Sequence, residues 1–395
     1  MRVLHTSDWH LGRQFHGASL MREQEEAMDR IVALAAEAEV DAVLIAGDLY
    51  DRAIPPAEAV QLFNDTLARL SRGGAAVIAI AGNHDSHVRV SVYDPLLSSF
   101  GVTIRGDVRR AAEPVLVTPR RGGEPVAIYP LPYLEPSVDG PRFTADAESN
   151  DPPISGRLSH QQVAAMALER IQRDRATRSQ QRSVLVAHAF VAGGETSDSE
   201  RELTVGNVDR VAVETFAGFD YVALGHLHGS QQLDGPRLAY SGTPLPYSFS
   251  EQHQRKSVRI VELDAKGVPA VEIVPLGVGR PLRTLEGPLE TLLSDPRHDD
   301  ATGAWLRVIL TDELLPLQAK ARLSKRFPHV AELRHRPPEL QSSSGSSRHA
   351  EAQKSRSPLE LSLTFFAEQQ GRPAAPEETA LLQQALEAAA RGGER

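Results

Sequence analysis

Short apolar runs alternate with amphipathic segments through the first 275 residues of the chain. The runs are nearly free of polar positions, which is typical of strands buried on both faces of a parallel sheet. They lie at residues 3–4, 42–46, 76–81, 183–187 and 221–224. Two segments between them, residues 22–38 and 56–70, carry apolar side chains at helical spacing. This alternation predicts an α/β layered fold.

The pattern changes in the second half of the chain. Residues 237–240, 257–264 and 270–275 predict short strands of a second sheet. Residues 134–158 are rich in Pro, Asp, Gly and Ser and predict a surface insertion. Residues 280–340 contain three strand patterns separated by two helical ones, which predicts a small α+β unit.

The last part of the chain predicts a helix pair behind a flexible linker. Residues 341–357 are dominated by Ser and charged residues, a composition typical of linkers. Residues 358–391 carry apolar side chains at helical spacing, interrupted at Gly371 and Pro373. Two short helices bury little apolar surface by themselves, so we expect this pair to need a partner surface.

Composition narrows the class of protein. A length of 395 residues predicts two or three domains, and the absence of cysteine excludes disulfides, thiolate metal ligands and a cysteine nucleophile. No apolar run approaches the ~20 residues of a membrane-spanning helix, so we expect a cytoplasmic protein. The net charge of −9 argues against general affinity for nucleic acids unless basic residues are locally concentrated.

Polar side chains follow five of the predicted strands at their carboxyl ends. Because these ends meet at one edge of a parallel sheet, we expect the side chains to converge. A single histidine at a strand end is usually structural, and a single Gly-Asp pair usually marks a turn. The set as a whole predicts a site, and its members are Asp8, His10, Asp48, Asp51, Asn83, His84, Asp85, His188, His226 and His228.

The types of donor in this set indicate the chemistry. Oxygen and imidazole donors without sulfur suit Mn²⁺, Fe²⁺ or Zn²⁺. Seven candidate donors exceed what one ion needs, but two ions could share them through a bridging carboxylate, for which Asp48 is the natural choice. Paired ions about 3.5–4 Å apart promote in-line displacement at phosphorus. The sequence therefore predicts a two-metal phosphoesterase site.

The motifs around these residues resemble those of a known family. "DWHLG", "GDLYD", "GNHD", "VAHAF" and "GHLH" are similar to the signature of the calcineurin-like metallophosphoesterases. "MRVLHTSDWHLG" and "YSGTPLPYSFSE" at residues 240–251 resemble the SbcD family, the nuclease subunits of bacterial SbcCD complexes. This resemblance implies a four-layer α-β-β-α sandwich over residues 1–278, a capping, DNA-binding domain over 279–340, a flexible linker over 341–357 and a helix-loop-helix over 358–395.

The resemblance also implies how the site residues divide their roles. His84 would face the phosphate, where it stabilises the transition state or protonates the leaving oxygen, and Asp85 would orient its imidazole. Asp51 stands where archaeal relatives carry a histidine, which is a departure from the family pattern. Two divalent ions, most readily Mn²⁺, would be bound, one by Asp8, His10, Asp48 and His228 and the other by Asp48, Asn83, His188 and His226.

Three groups of basic residues offset the negative net charge locally. Such groups can neutralise DNA phosphates and release counterions, although most runs of charge only form a solvated face. The first group, in the implied capping domain, consists of Lys320, Arg322, Lys325, Arg326, Arg334 and Arg336, with Glu332 as its single acid. The others are Arg170, Arg173, Arg175, Arg178 and Arg182, and Arg105, Arg109, Arg110, Arg120 and Arg121. No base-reading motif accompanies them, so we expect binding that is insensitive to DNA sequence.

The resemblance further implies partners. It implies a 2:2 assembly with SbcC, an ATPase with a long coiled coil to which the C-terminal helix pair would bind. It also implies an SbcD homodimer formed by helices at residues 57–71 and 90–100. Candidate contacts, each of which could equally belong to the protein's own core, are Phe63, Leu67, Leu70, Leu96, Leu97 and Phe100.

The sequence therefore predicts a Mn²⁺-dependent DNA phosphodiesterase of DNA repair, recombination and replication, located in the cytoplasm at the nucleoid. The resemblance implies 3′-to-5′ exonuclease activity on double-stranded DNA ends and endonuclease activity on single strands and hairpins, gated by ATP in the partner. Two alternatives stay open. A calcineurin-like phosphatase or small-molecule phosphodiesterase would share the metal site but have no use for the basic capping unit. A catalytically silent scaffold is the other.

Overall fold

The computed structural model of the chain describes residues 1–145, 158–178, 181–200, 210–338, 359–360, 362–363, 366 and 372–392. Contacts divide it into two compact units, Met1–Arg336 and Pro337–Arg395, and each is described by itself. No helix in the described part of the chain is long and apolar enough to cross a membrane.

The first unit contains both strands and helices throughout. Its strands are β1 (Arg2–Thr6), β2 (Gln14–Phe15), β3 (Ala18–Ser19), β4 (Ala42–Ile45), β5 (Ala76–Ile80), β6 (Val102–Arg105), β7 (Val115–Val117), β8 (Val126–Leu131), β9 (Ser183–His188), β10 (Tyr221–Gly225), β11 (Gln231–Asp234), β12 (Leu238–Tyr240), β13 (Ser257–Leu263), β14 (Pro269–Pro275), β15 (Leu282–Gly287), β16 (Trp305–Leu310) and β17 (Val330–His335). Its helices are α1 (Met21–Glu37), α2 (Ala57–Arg72), α3 (His87–Ser91), α4 (Asp94–Leu97), α5 (Pro136–Ala145), α6 (His160–Thr177), α7 (Leu289–Ser294) and α8 (Ala319–Arg326).

Two six-stranded sheets form the centre of this unit. The first has the strand order β14-β13-β1-β4-β5-β6, in which β1, β4, β5 and β6 run parallel. The second has the order β11-β12-β10-β9-β8-β7, in which β8, β9, β10 and β12 run parallel. An inner core joins the two sheets, with Leu44 and Ile78 from the first and Val186 and Ala223 from the second.

Helices cover the two outer faces. α1 and α2 pack on the first sheet through side chains that include Ile31 and Phe63. α5 and α6 pack on the second sheet through side chains that include Phe143 and Ile171. The layers therefore follow the order α-β-β-α, which confirms the predicted fold class.

The segment between β8 and β9 differs from the prediction. The predicted surface insertion was wrong for residues 134–145, because Leu134 and Phe143 are buried in the core of the second sheet. α6, which the sequence pattern did not indicate, begins at a capping box formed by Ser159 and Gln162. Residues 146–157 of the predicted insertion lie outside the described residues.

The predicted small α+β unit is present as a three-stranded parallel sheet, β15-β16-β17, with α7 and α8. It has its own core, which includes Leu285, Leu306 and Phe327. The ring of Trp305 packs against Phe15 of β2, which connects this core to the first sheet's side of the unit. The domain boundary between residues 278 and 279 stays a prediction.

The second unit contains the helix α9 (Pro376–Gly392) and shorter helical stretches at residues 359–360, 362–363 and 366. Arg372, just before α9, forms an ion pair with Glu378 in its first turn. The predicted linker at residues 341–357 lies outside the described residues, as does most of the first predicted helix of the pair.

Candidate metal centre

Seven of the predicted site residues lie together at the carboxyl ends of five parallel strands. They are Asp8 and His10 after β1, Asp48 after β4, Asn83 after β5, His188 at the end of β9, and His226 and His228 after β10. All are buried except Asn83, which is half-buried. The first four come from one sheet and the last three from the other, so the centre lies at the seam, by which we mean the line where these strand ends of the two sheets meet.

One group of side chains brings imidazoles and carboxylates to a common point. Nε2 of His10 lies 3.2 Å from Nε2 of His228 and 3.5 Å from Oδ2 of Asp48. Ligand atoms of Asp8, His10 and His228 all lie within 4.8 Å of one another. The buried Nδ1 of His10 has no hydrogen-bond partner among the described residues. Electron-rich atoms that face one another without a proton between them repel, so this group fits a cation.

A second group shares Asp48 with the first. Oδ1 of Asn83 lies 2.8 Å from Nε2 of His188 and 3.1 Å from Nδ1 of His226. Oδ2 of Asp48 lies 3.7 Å from Nε2 of His188, and the same oxygen faces His10. Asp48 therefore stands where the bridging carboxylate of a two-ion site is needed. Oxygen and imidazole donors of this kind suit Mn²⁺, Fe²⁺ or Zn²⁺.

Burial controls the protonation of the candidate ligands. Burial, and after it the neighbouring imidazoles, lowers the pKa of His10 and of His226, which keeps both rings neutral. Burial, and after it the charge of Asp48, raises the pKa of Asp8 well above its usual range. A divalent cation stabilises both kinds of group, since it binds neutral imidazole and compensates buried carboxylates.

Four of the candidate ligands have a left-handed backbone conformation. The angle φ is 53° at Asp8, 45° at His10, 47° at Asp48 and 110° at His226. Residues other than glycine rarely adopt positive φ, and those that do concentrate at functional sites. Hydrogen bonds across the seam hold this geometry, because the N–H of His226 donates to Oδ1 of Asp8 at 3.0 Å.

Glycine is required where the strand ends approach most closely. A Cβ atom at Gly225 would lie 1.8 Å from the carbonyl oxygen of Ala46, and a Cβ atom at Gly82 would lie 2.1 Å from Oδ1 of Asp48. The same carbonyl of Ala46 accepts a hydrogen bond from Nδ1 of His188 at 2.9 Å. This bond leaves Nε2 of His188 without a proton, which is the state that binds a metal.

His84 lies at the edge of the first group. Its backbone N–H donates to Oδ1 of Asp48 at 2.9 Å, and its Nδ1 donates to the carbonyl oxygen of Asp51 at 2.8 Å. The half-buried ring stands edge-on to that of His10, with centroids 4.7 Å apart. A ring nitrogen of His84 also lies within 4.8 Å of ligand atoms of His10 and Asp48, so the role of His84 as a residue that does not bind metal stays a prediction.

The prediction that Asp85 orients His84 was wrong. Burial, and after it the charge of a neighbouring carboxylate, raises the pKa of Asp85 to about 7. The carbonyl oxygen of Asp51, which no residue type can reveal, takes the orienting position instead. The carboxylate of Asp85 ties the loop after β4 to the loop after β5, because it accepts hydrogen bonds from the backbone amides of Leu49, Tyr50 and Gly82.

Acidic residues from other elements neutralise most of the basic group in the α+β unit. The ion pairs are Arg322 with Glu290, Arg326 with Asp299, Arg334 with Glu332, and Arg336 with Glu286. Lys320 and Lys325, both on α8, form no ion pair within the described part of the chain. Contact of this group with DNA stays a prediction, and these two lysines are its strongest candidates.

Many charges of the other two basic groups are used within the fold. Arg105 and Arg110 pair with Asp94, Arg121 with Glu39, Arg173 with Glu169, and Arg178 with Asp174, while Arg182 donates to the carbonyl oxygens of Glu124, Leu263 and Asp264. Local clustering in sequence thus overstated the number of free charges, since many partners come from distant elements.

The candidate dimer contacts separate into two sets. Phe63, Leu67 and Leu70 are buried in the core beneath α2, so their prediction as surface contacts was wrong. Leu96 and Phe100 are 67% and 72% exposed. Leu97 is partly buried against the core. Exposed apolar side chains beside them form a surface that we call the α3–α4 strip, made of Val88, Val92, Tyr93, Leu96 and Phe100.

Sequence reasoning missed side chains that pack around the first group. The ring of Tyr247 lies 5.5 Å from that of His10 and 6.0 Å from that of His228, measured between centroids. The side-chain amide of Gln24 donates to the carbonyl oxygen of His10 at 2.8 Å, and the guanidinium of Arg13 stacks on Tyr247 at 4.9 Å. Tyr247 belongs to residues 240–251, so the family resemblance of that segment was the available signal.

Two family models match the chain. The model described as Calcineurin-like phosphoesterase matches residues 1–230, and the model described as Type 5 capsule protein repressor C-terminal domain matches residues 278–370. A solved structure, TT1561 of Thermus thermophilus, aligns at 13% identity over 70% of this chain and 98% of that one, with a TM-score of 0.40 that is too low to carry an argument.

Curated relatives cover most of the chain. The SbcD subunit of the SbcCD nuclease of Bacillus subtilis (strain 168) is 33% identical over 348 residues, which is 85% of each protein. The protein of the same name from Escherichia coli (strain K12) is 29% identical over 328 residues, which is 80% of this chain and 79% of that one. The resemblance that the motifs indicated is confirmed, and the chain belongs to the calcineurin-like phosphoesterases and, within them, to the family of SbcD nuclease subunits.

Proposed function

We propose that this chain is a metal-dependent DNA phosphodiesterase, the nuclease subunit of an ATP-dependent complex. The observation that supports this most directly is the position of Asp48, whose Oδ2 faces His10 at 3.5 Å and His188 at 3.7 Å within a buried seam. A phosphate diester carries a negative charge that such a cation site attracts. The names of the curated relatives support DNA nuclease activity over phosphatase activity.

The chain's own residues divide the work. Two divalent ions, of which Mn²⁺ is the expected one, supply an activated water and offset the charge on the phosphate. His84, held by the carbonyl of Asp51, is the residue that donates a hydrogen bond or a proton to the leaving ribose oxygen. One ion is held by Asp8, His10, Asp48 and His228, and the other by Asp48, Asn83, His188 and His226.

The proposal extends to the assembly. The α3–α4 strip is an exposed apolar surface of the kind that a second copy of the chain covers, which supports a homodimer. The helices of the second unit are the expected binding site for the coiled coil of an SbcC-type ATPase in a 2:2 complex. The expected activities are 3′-to-5′ exonuclease on double-stranded ends and endonuclease on single strands and hairpins.

A nuclease assay tests the proposal. End-labelled linear and hairpin DNA are incubated with the chain and its partner ATPase, with and without Mn²⁺ and ATP. We expect cleavage that requires Mn²⁺ and that Asp48→Ala abolishes, because this change removes the carboxylate shared by both ions. Hydrolysis of phosphoproteins or cyclic nucleotides with DNA left intact would favour the phosphatase alternative and contradict the proposal.

A further inference from the structure

The segment of residues 240–251 resembles its family strongly, but its last residue, Glu251, has no part in the proposed chemistry. Glu251 is 1% exposed, and its Oε1 lies 3.9 Å from Nδ1 of His228. The side chain thus points at the back of a candidate ligand, on the side away from the metal centre. A buried carboxylate in this place needs partners, and the structure supplies them.

Ser199 lies between Glu251 and His228. Its Oγ is 2.5 Å from Nδ1 of His228 and forms a hydrogen bond with Oε1 of Glu251. Ser199 follows β9 in the chain and stands outside every motif that the sequence indicated. Lys256 closes the chain of contacts, because its Nζ lies 2.5 Å from Oε2 of Glu251 and donates to the carbonyl oxygen of His228 at 2.9 Å.

The chemistry of these groups fixes the direction of each hydrogen bond. Burial alone would raise the pKa of Glu251, but the hydrogen bond to the His228 side and the charge of Lys256 outweigh it and hold this pKa below its usual range. An ionised carboxylate only accepts, so the single hydroxyl proton of Ser199 goes to Glu251. The oxygen of Ser199 then accepts from Nδ1–H of His228. A neutral imidazole has one N–H, so Nε2 of His228 is left bare.

This bare nitrogen is the one that faces the centre. Nε2 of His228 lies 3.2 Å from Nε2 of His10, in the group that fits a cation. Histidines that bind metals are commonly held by a partner on their other nitrogen, which fixes both the tautomer and the orientation of the ring. We propose that Ser199 and Glu251 are positioning residues that hold His228 in its Nδ1–H form, with Nε2 aimed at the first metal ion. This inference rests on the proposed function in one respect, namely that the centre binds divalent ions.

Metal binding tests the inference without reference to nuclease activity. Metal-free protein is titrated with MnCl₂, and free Mn²⁺ is followed by electron paramagnetic resonance, for the wild type, Ser199→Ala, Ser199→Thr and Ser248→Ala. We expect Ser199→Ala to raise one of the two dissociation constants by about 10- to 100-fold and to leave the other unchanged. Ser199→Thr keeps the hydroxyl and is expected to retain most of the affinity.

Ser248→Ala is the matched control. The hydroxyl of Ser248 donates to the same Oε1 of Glu251 at 3.1 Å but does not contact His228. We expect this variant to bind both ions as the wild type does. If Ser199→Ala binds both ions with wild-type affinity while its melting temperature falls, Ser199 only supports its loop and the inference is wrong. Equal losses of affinity in the two alanine variants would also overturn it.

A spectroscopic measurement separates this inference from the proposed function. Long-range ¹H–¹⁵N correlation of the metal-free protein reports which ring nitrogen of His228 carries the proton. We expect the Nδ1–H form in the wild type and a gain of the Nε2–H form in Ser199→Ala. A wild-type protein that cleaves DNA with Mn²⁺ but shows the Nε2–H form overturns the inference alone, whereas a protein that binds no divalent ion overturns the proposed function as well.

Discussion

At the scale of single residues, the site depends on side chains that each face two groups at once. Asp48 presents one oxygen to His10 and His188, and His84 is held by a backbone carbonyl rather than by the carboxylate next to it in sequence. Residue types at strand ends were enough to predict the seven candidate ligands. They could not predict the carbonyl of Asp51 or the hydroxyl of Ser199, because every residue has a carbonyl and serine is common in loops.

The variant His84→Ala separates metal binding from catalysis. Because His84 is expected to act on the leaving oxygen rather than on an ion, we expect the protein to keep both Mn²⁺ ions and to lose on the order of a hundredfold in cleavage rate. Single-turnover cleavage and the Mn²⁺ stoichiometry measure the two effects. Loss of an ion in this variant would make His84 a ligand and contradict the assignment.

His5 makes the stability of the metal-free protein depend on pH. Burial, and after it the charge of Arg259, lowers the pKa of His5 to about 3, and the ring contacts Tyr221 and the carbonyl of Leu224. A pKa that is lower in the folded state than in the unfolded state contributes stability that is complete above pH ~6.5 and is lost as the pH falls toward 3. Between pH 7.5 and 5 the loss is about 2 kcal/mol.

Urea unfolding at the two pH values measures this effect. The variant His5→Gln can keep both contacts but does not titrate, so we expect its free energy of unfolding to fall by about 2 kcal/mol less than that of the wild type over the same interval. Comparing the two proteins removes the contribution of the other buried histidines. Equal losses in the wild type and the variant would show that His5 does not titrate as its burial indicates.

At the scale of elements, apolar periodicity predicted the central strands, α1, α2 and the α+β unit, but not α5 and α6. α5 contains Gly140 and Pro141, which sequence reasoning takes as signs of a loop. α6 carries many Arg and Gln residues, so its buried positions, such as Val163 and Ile171, are diluted. Charge was also misjudged at this scale, since Glu286, Glu290 and Asp299 lie on elements other than those of the arginines that they pair with.

The two unpaired lysines of α8 provide a test of DNA binding by the α+β unit. If Lys320 and Lys325 each contact one phosphate, replacing both with alanine is expected to reduce the slope of log K against log salt by about 2. Arg322→Ala, on the same helix, is the control, because its guanidinium already pairs with Glu290. An unchanged slope in the lysine variant, measured by fluorescence anisotropy on duplex DNA, would exclude α8 from the DNA-binding surface.

At the scale of the whole molecule, the two sheets meet most tightly at Gly225. A Cβ atom there would overlap the carbonyl oxygen of Ala46, so Gly225→Ala must push the sheets apart. We expect a loss of about 1–3 kcal/mol in the free energy of unfolding, measured by calorimetry. Gly303→Ala is the control, because no heavy atom lies within 4 Å of its added Cβ, and it should melt close to the wild type.

Divalent ions should hold the two sheets together. Since ligands come from both sheets, Mn²⁺ binds the docked state only, and at a free concentration of 100 times the dissociation constant it adds about 2.7 kcal/mol to stability. We expect the melting temperature to rise with Mn²⁺ in the wild type and much less in Asp48→Asn, which weakens the shared carboxylate. A rise of equal size in both proteins would place the stabilising ions elsewhere.

The order of the ligands along the chain also affects how the protein is made. Four of the seven candidate ligands lie before residue 84 and three lie after residue 187, on opposite sides of the seam. A ribosome that has released only the first half of the chain has therefore made half of each ion site and no site that can cut. A cell that makes an enzyme able to break its chromosome is protected during synthesis, because cutting begins only when the late strands have docked on the early ones.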